Sequence, residues 1–343
     1  MTETGTQPTP PPAPERRRRR RGGRSAEQAM VPDVEFTSYY GRPVIKEPVW
    51  KEPDVPAYLF LGGLAGASSV LAAAAQLSGH RELARVSKVA ALGAISLSGV
   101  ALVHDLGRPT RFLNMLRVFK PSSPMSVGSW LLAAYGPVAG AAALSDVTGI
   151  LPSAGAAATA GASLLGPAIA TYTAALICDT AVPAWHEGYR QMPYVFAGSA
   201  ASAAGGLGLL LTRPADAAPA RDLAFLGAAV ELAAKRQLIS HLAATPGQSL
   251  AEPYEEGRTG TVLRTAEALT AAGLAGTLLA TALRGRSVRA VSVLSGTALV
   301  AASALTRYGI FKAGQTSARD PKYVIRPQRA RTPRRRRPTG PPP

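Results

Sequence analysis

Residues 104–130 read HDLGRPTRFLNMLRVFKPSSPMSVGSW, a polar and basic stretch that lies between two long apolar runs. Its polar and charged side chains are His104, Asp105, Arg108, Arg111, Asn114, Arg117 and Lys120. The flanking apolar runs are close to the ~20 residues that a helix needs to cross the hydrocarbon of a membrane. The stretch is therefore predicted to be a loop at a membrane surface, where it can meet both a ligand at the bilayer edge and a docked protein.

The same alternation of apolar runs and short charged gaps fills most of the 343 residues. It predicts an all-α integral membrane protein with eight transmembrane helices rather than a set of soluble domains. The predicted spans are 57–78, 86–103, 125–144, 154–178, 193–211, 222–244, 266–283 and 288–310. In the first span Gly62 and Gly66 share a helix face, which predicts close packing against a neighbouring helix. No internal repeat is apparent in the sequence.

The net charge of +17 is concentrated at the two ends of the chain. The runs Arg16 to Arg21 and Arg334 to Arg337 lie in Pro-rich segments that contain too little apolar surface to fold. We therefore predict a disordered basic tail over 1–40, a transmembrane domain over 41–318 and a basic C-terminal tail over 319–343. Such tails are attracted to anionic membrane lipid, and no nucleic-acid partner is expected.

An even number of spans places both termini on one side of the membrane. The gaps at 104–124 and 179–192 fall on that same side. The arginine-rich tails, together with the lack of an apolar export-signal core near the N-terminus, predict a multi-pass protein of the cell membrane with both termini in the cytoplasm.

The composition argues against bound metal centres in this chain. Cys178 is the only cysteine, so an internal disulfide, a zinc site of clustered thiolates or an iron–sulfur cluster is not expected. Of the four histidines only His241 lies well inside a predicted span, whereas bis-histidine haem needs two facing histidines. The sequence predicts neither haem nor a metal site.

Two predicted helix ends carry groups able to exchange protons near neutral pH. His104 and Asp105 end the second span, and Asp179 ends the fourth, shortly before Trp185 and His186. A carboxylate or imidazole at the hydrocarbon edge suits a quinone, which takes up two electrons and two protons. The alternative interpretation is that these residues have no chemical role, because charged helix ends and aromatic side chains commonly lie in the head-group region of a membrane.

The sixth span is unusual because it contains charged and protonatable residues, namely Glu231, Lys235, Arg236 and His241. Glu231 and Lys235 are four residues apart and predict either a structural ion pair on one helix face or part of a proton path. Glu267 and Arg307, in the outer parts of the last two spans, are predicted to be interfacial.

Four segments together resemble the NrfD family, the membrane subunits of polysulfide-reductase-type complexes. They are YLFLGGLAGASSVLAA, DLGRPTRFLNMLRVFKPSSPMSVGSW, ATYTAALICDTAVPAWHE and AGQTSARDPKYVIRPQR. The resemblance covers roughly residues 40–328. It implies an eight-helix quinone-binding anchor without haem, which partners a ferredoxin-like iron–sulfur subunit that in turn serves a molybdopterin catalytic subunit.

The resemblance also implies a function and a site. The chain would pass electrons between menaquinone or ubiquinone and the iron–sulfur subunit, and Glu231 and His241 motivate the hypothesis of coupled proton translocation. The gap from 105 to 130 would lie at the docking surface near the quinone. The protonatable groups would be His104, Asp105 and Asp179, and the binding residues Tyr58, Arg108, Trp185 and His186. The alternatives are a polytopic transporter or channel, and a purely structural anchor.

Overall fold

The computed structural model describes residues 44–46, 48–107, 114–283 and 286–331, and these residues form eight long helices. The long helices are α1 (Asp54–Leu77), α2 (Arg81–Asp105), α3 (Pro124–Thr148), α4 (Pro152–Cys178), α6 (Met192–Leu211), α7 (Ala218–Ala243), α9 (Gly257–Ala282) and α10 (Arg286–Arg319). The short helices are α5 (Pro183–His186), α8 (Glu252–Glu255) and α11 (Lys322–Arg331), and a 3₁₀ turn covers Pro214–Asp216. The described part contains no strand, so the all-α prediction is confirmed.

Each predicted span coincides with one long helix. Six of these helices, α1 to α4, α6 and α10, are long and apolar enough to cross a membrane. The other two, α7 and α9, have the required length but carry more charge, including Glu231 and Lys235 in α7 and Glu267 in α9. Eight crossings therefore remain a prediction.

Proline and glycine set several helix boundaries. Pro124 and Pro152 occupy the first turns of α3 and α4, where a backbone N–H is not needed for the helix. Gly149 ends α3 with φ 73°, a left-handed conformation that costs glycine little. The chain thus reverses within three residues between α3 and α4.

The eight long helices form two halves with the same packing pattern. In the first half α1 packs on α2, α3 packs on α4, and α1 also packs on α4. In the second half α6 packs on α7, α9 packs on α10, and α6 also packs on α10. The halves meet mainly where α6 contacts α1 and α4, and where α1 contacts α10. This internal repeat is not apparent from the sequence, because what repeats is the set of helix pairs that pack together and not the order of the residues.

A pair of glycines marks the equivalent helix crossing in each half. A Cβ on Gly66 of α1 would overlap the carbonyl oxygen of Gly166 in α4. In the second half, a Cβ on Gly296 of α10 would overlap the carbonyl oxygen of Gly206 in α6. The close packing predicted for Gly66 is confirmed, and the same device holds together the first and last helices of both halves.

Ion pairs define the two ends of the bundle. At the end where α1 begins and α10 finishes, called here the terminal end, His104 Nδ1 lies 2.6 Å from Asp54 Oδ2. At the opposite, distal end, Arg213 Nε lies 2.7 Å from Glu82 Oε2. The stretches around 114–123 and 179–191 both lie at the terminal end, as the sequence predicts.

The ordered fold extends further towards the C-terminus than predicted. The sequence predicts a basic tail from 319, but α11 continues to Arg331 and buries Tyr323 and Val324. Lys322 Nζ lies 2.6 Å from Glu252 Oε1, and Arg331 Nη2 donates to Glu187 Oε2 at 2.7 Å. These contacts with α8 and with the segment after α5 keep the helix on the bundle. The predicted N-terminal tail lies outside the described residues.

Candidate functional site

A small apolar cavity lies at the terminal end of the first half. Its volume is about 60 Å³, and it is enclosed by α1 to α4 and the segment that leads into α1. Its lining consists of Trp50, Val55, Tyr58, Leu102, Asp105, Leu106, Met115, Met125, Ser129, Tyr172, Leu176 and Ile177. Asp105 contributes a carboxylate to this otherwise mainly apolar lining.

A larger groove of about 520 Å³ opens beside this cavity. It runs between the start of α3, the end of α4 and the segment that contains α5. Its lining consists of Pro121, Ser122, Pro124, Val127, Tyr172, Ala175, Cys178, Asp179, His186, Tyr189 and Pro193. Two of the predicted site residues, Asp179 and His186, therefore line the same space.

Tyr172 lines both the cavity and the groove. Its ring meets the ring of Tyr58 edge to face, with centroids 6.4 Å apart. Its hydroxyl is buried and has no hydrogen-bond partner among the described residues. Gly128 makes room for the ring, because a Cβ there would overlap it. A buried phenol without a partner is costly, so a hydrogen-bond acceptor supplied by a ligand would stabilise it.

His104 and Asp105 are adjacent in sequence but contact different parts of the structure. His104 pairs with Asp54 and remains largely exposed, with 74% of its side chain accessible, and it does not line either space. Asp105 lines the cavity and accepts a hydrogen bond of 2.9 Å from the backbone N–H of Lys51. The structure thus separates two groups that look like one pair in the sequence.

His186 is oriented by the end of α4. Its Nδ1 lies 3.1 Å from the carbonyl oxygen of Cys178, which can only accept, so Nδ1 carries the proton. In the neutral ring Nε2 is then an acceptor. Asp179 follows Cys178 directly and is exposed in the groove. The groove therefore holds a carboxylate and an oriented imidazole within one short segment.

Of the predicted wall residues, Tyr58 lines the cavity, whereas Trp185 lines neither space. Trp185 is fully buried, stacks on Trp50 with centroids 5.5 Å apart, and donates from Nε1 to the carbonyl oxygen of Ile310 at 2.8 Å. It therefore supports Trp50, which does line the cavity. Arg108, the remaining predicted binding residue, lies outside the described residues.

Two residues of the site, Tyr172 and Asp54, are missing from the sequence-based prediction. Tyr172 precedes Asp179 by seven residues, which is two turns of α4 and puts both on one face. This spacing could have indicated that Tyr172 lies near Asp179. In the sequence, however, the tyrosine looks like one more apolar residue of a predicted span. Asp54 lies in the first turn of α1, 50 residues before His104. Nothing in the sequence connects two residues at that separation.

The buried charges of the second half also differ from prediction. Glu231 does not pair with Lys235; its carboxylate accepts from Thr306 Oγ1 at 2.8 Å and from Ser202 Oγ at 3.2 Å. Lys235 Nζ instead lies 3.2 Å from Glu267 Oε2. The reason is that α6 and α10 present hydroxyl groups to Glu231, while Lys235 faces α9.

Arg307 is fully buried rather than interfacial. Its guanidinium lies 3.7 Å from the centroid of the Phe196 ring, and Nη2 donates to the Phe196 carbonyl oxygen at 2.7 Å. A Cβ on Gly63 of α1 would approach the same Nη2 to 3.1 Å. Arg307 of α10 therefore fills the junction between the two halves.

Tyr254 joins two short helices next to the groove segment. Its hydroxyl donates to the carbonyl oxygen of Ala184 at 3.0 Å and so fixes α8 against α5. Burial raises the pKa of Tyr254 well above its ordinary value. In the described ranges no three His, Cys, Asp or Glu side chains are grouped as metal ligands.

Comparison with known proteins agrees with this architecture. No curated protein matches the chain. The family model for polysulphide reductase, NrfD, matches residues 45–318, which is most of the chain and includes all eight long helices except the last residue of α10. A match of this extent establishes that the chain belongs to the NrfD family of membrane subunits.

Proposed function

We propose that this chain is the quinone-reactive membrane anchor of a molybdopterin and iron–sulfur oxidoreductase complex. The observation that carries the proposal is Tyr172, which lines both the cavity and the groove and whose buried hydroxyl has no partner in the described part of the chain. A quinone carbonyl is an acceptor of the kind that this hydroxyl needs. Membership of the NrfD family is consistent with this role.

The groove suits a quinone ring in size and character. Its volume of about 520 Å³ falls within the roughly 300–1,000 Å³ that is typical of small-molecule sites. Pro124, Val127 and Ala175 offer apolar walls, and Asp179 and His186 offer two protonatable groups. When bound, a quinone supplies two-electron, two-proton redox chemistry at this position.

Each residue then has a defined task. The Tyr172 hydroxyl donates to a carbonyl oxygen and orients the ring. The Nε2 atom of His186 and the carboxylate of Asp179 exchange protons with the ring oxygens and with solvent at the groove mouth. Asp105 fixes the segment before α1 through the Lys51 backbone and so keeps Trp50 in the cavity wall.

The ferredoxin-like iron–sulfur partner is proposed to dock at the terminal end, over the segment 114–123. Val118 and Phe119 are exposed there, and Phe119 contacts the edge of Trp130 with centroids 6.2 Å apart. Arg117 and Lys120 add positive charge to the same segment. Exposed apolar side chains among basic ones are typical of a protein-binding surface, and this surface borders the groove at Pro121.

Tyr172→Phe tests the role of the hydroxyl in the intact complex. Loss of one hydrogen bond should raise the KM for quinone by roughly two- to tenfold in a quinone-dependent electron-transfer assay. Tyr194→Phe is the matched control, because Tyr194 is exposed and lines neither space. An unchanged KM in Tyr172→Phe would place the quinone elsewhere.

A second arm separates quinone chemistry from a purely structural anchor. Combined replacement of the two protonatable groove residues, Asp179→Asn with His186→Gln, should lower the quinone-dependent rate by roughly 10²-fold or more, since both groups that exchange protons with the ring are lost. A structural anchor would retain the rate. Isolation of the tagged chain should also yield an iron–sulfur protein, a molybdopterin subunit and quinone, whereas a transporter would be isolated without them.

A further inference from the structure

The distal end of the first half contains a second, larger pocket of about 730 Å³. It lies between the turn that joins α1 to α2 and the turn that joins α3 to α4, at the opposite end of the bundle from the candidate quinone site. Its ionisable lining consists of Arg81, Glu82, Arg85, Lys88, Asp146 and Arg213. Four cations and two carboxylates leave the lining with an excess of positive charge.

Both carboxylates are already paired within the protein. Glu82 Oε2 lies 2.7 Å from Arg213 Nε. Asp146 lies 3.0 Å from Arg85 Nε and 2.9 Å from Lys88 Nζ. Arg81 is exposed and has no carboxylate partner within the described residues. The pocket therefore presents cationic donors that no internal acid neutralises.

The floor of the pocket is a buried ammonium group. Lys88 is 6% exposed, and its Nζ donates to Gln76 Oε1 at 2.6 Å and to Asp146 Oδ1 at 2.9 Å. Two of its three protons are thus used. A strongly desolvated ammonium that has a donor to spare, in a pocket that exposed Arg81 also lines, suits a phosphate group that enters from the head-group region.

Exposed apolar side chains lie next in sequence to residues that line the pocket, namely Gln76, Gly149 and Pro152. Leu77 adjoins the α1–α2 turn and is 89% exposed, while Ile150 and Leu151 of the α3–α4 turn are 65% and 69% exposed. A soluble anion would gain nothing from these side chains. An amphiphile would place its head group in the pocket and its acyl chains along them.

We propose that this distal pocket binds an anionic phospholipid, with the phosphate held by Arg81, Arg85 and Lys88 and the acyl chains packed along Leu77, Ile150 and Leu151. Basic pockets between the ends of transmembrane helices are suited to such head groups. The lipid would bridge α1, α2 and the α3–α4 turn, and so tie the distal end of the first half together.

The test uses the purified, delipidated complex in mild detergent and follows its thermal unfolding while lipid is added. Phosphatidylglycerol should raise the unfolding temperature, and phosphatidylcholine should not. Arg81→Gln should raise the phosphatidylglycerol concentration needed for half of the effect by about fivefold, the effect expected for one basic contact near an anionic surface. Arg258→Gln, an exposed arginine of the terminal end, is the matched control and should behave as the unaltered protein.

Three outcomes would overturn the proposal. The first is equal stabilisation by the two lipids, and the second is the same response in Arg81→Gln as in Arg258→Gln. The third is full stabilisation by soluble glycerol 3-phosphate, which would make the pocket a site for small anions. Native mass spectrometry of the same samples should show phosphatidylglycerol retained on the unaltered complex and depleted on Arg81→Gln.

Discussion

Single side chains in this protein differ in how completely their polar atoms are satisfied. Tyr172 has a buried hydroxyl without a partner in the described part of the chain. Glu231 is also buried, but both of its carboxylate oxygens accept hydrogen bonds, from Thr306 and Ser202. The first arrangement leaves room for a ligand, whereas the second holds a carboxyl group in the protein interior without one.

Glu231→Gln tests the hypothesis that the second half moves protons. The amide retains the size of the carboxyl group and can still bond with Thr306 and Ser202, but it has no acidic proton to transfer. In the active complex reconstituted into vesicles, electron transfer should stay within about twofold, because one hydroxyl can still donate to the amide oxygen and the other can accept from the amide nitrogen. Proton translocation per electron should fall.

The control for this variant is Glu255→Gln, an exposed carboxylate of the terminal end that should leave both rates unchanged. Proton translocation that persists at the original ratio in Glu231→Gln would remove the hypothesis and leave Glu231 as a structural group. Loss of both activities together would indicate damage to the fold, which thermal unfolding of the same sample detects.

At the scale of helices, small residues determine how closely the elements approach. The crossing of α1 and α4 depends on Gly66 and Gly166, and that of α6 and α10 on Gly206 and Gly296. Because lipid tails are as apolar as the helices, van der Waals packing at such crossings supplies much of the association energy. Hydrogen bonds add to it, as Tyr135 shows by donating to the Ala65 carbonyl oxygen at 2.6 Å.

Gly66→Ala should therefore be destabilising. The new Cβ would overlap the Gly166 carbonyl oxygen and force α1 away from α4, at a cost of about 1–3 kcal/mol in the free energy of unfolding. Gly93→Ala in α2 is the matched control, since a Cβ added there would have no atom of another residue within 4 Å. It should be neutral or slightly stabilising, because alanine favours helix by roughly 0.5–1 kcal/mol.

Chemical or thermal unfolding in one detergent compares the two alanine variants directly. Equal stability of Gly66→Ala and Gly93→Ala would show that α1 and α4 can separate without loss, and would contradict the packing argument. Comparing the stability of Gly296→Ala with that of Gly93→Ala tests the α6–α10 crossing of the second half in the same way.

At the scale of the whole molecule, the two halves have the same helix packing but differ in where their charged side chains lie. The first half has its large charged pocket at the distal end, around Lys88. The second half carries its buried charge inside, at Glu231 and Arg307, and has two charged helices, α7 and α9. Crossing of the membrane by α7 and α9 consequently depends on burial of that charge against the other helices.

Single cysteines test the crossing by α7 and the orientation together. With Cys178 replaced by serine, Ala215→Cys and Glu256→Cys place a thiol just before α7 and just before α9. If α7 crosses, a membrane-impermeant maleimide should reach the two positions from opposite sides. With the termini in the cytoplasm, Ala215→Cys should react in intact cells and Glu256→Cys only after permeabilisation.

Ser78→Cys, in the α1–α2 turn at the distal end, provides the reference and should react like Ala215→Cys. Labelling of Ala215→Cys and Glu256→Cys from the same side would exclude a crossing by α7. The reversed pattern, with Glu256→Cys alone reactive in intact cells, would keep the crossing by α7 and invert the orientation.

The sequence by itself determined the helical class, the positions of the long helices and the family. Apolar runs of membrane length are local features, so each is visible without its neighbours. It also identified Asp179 and His186, because both adjoin a helix end that is marked by a change from apolar to polar residues. The continuation of order to Arg331 was missed, since the contacts of α11 are made to α8 and the segment after α5.

Only the tertiary structure decided which groups meet. In the structure His104 pairs with Asp54, and Glu231 accepts hydrogen bonds from Thr306 and Ser202. Arg307 lies at the junction of the two halves, and Trp185 packs behind Trp50 of the cavity wall. The structure also revealed the repeat of packing and the buried hydroxyl of Tyr172, unpartnered within the described ranges. The physical reason is that these properties depend on distances between side chains of different helices, and the periodicity of one helix carries no information about its neighbour.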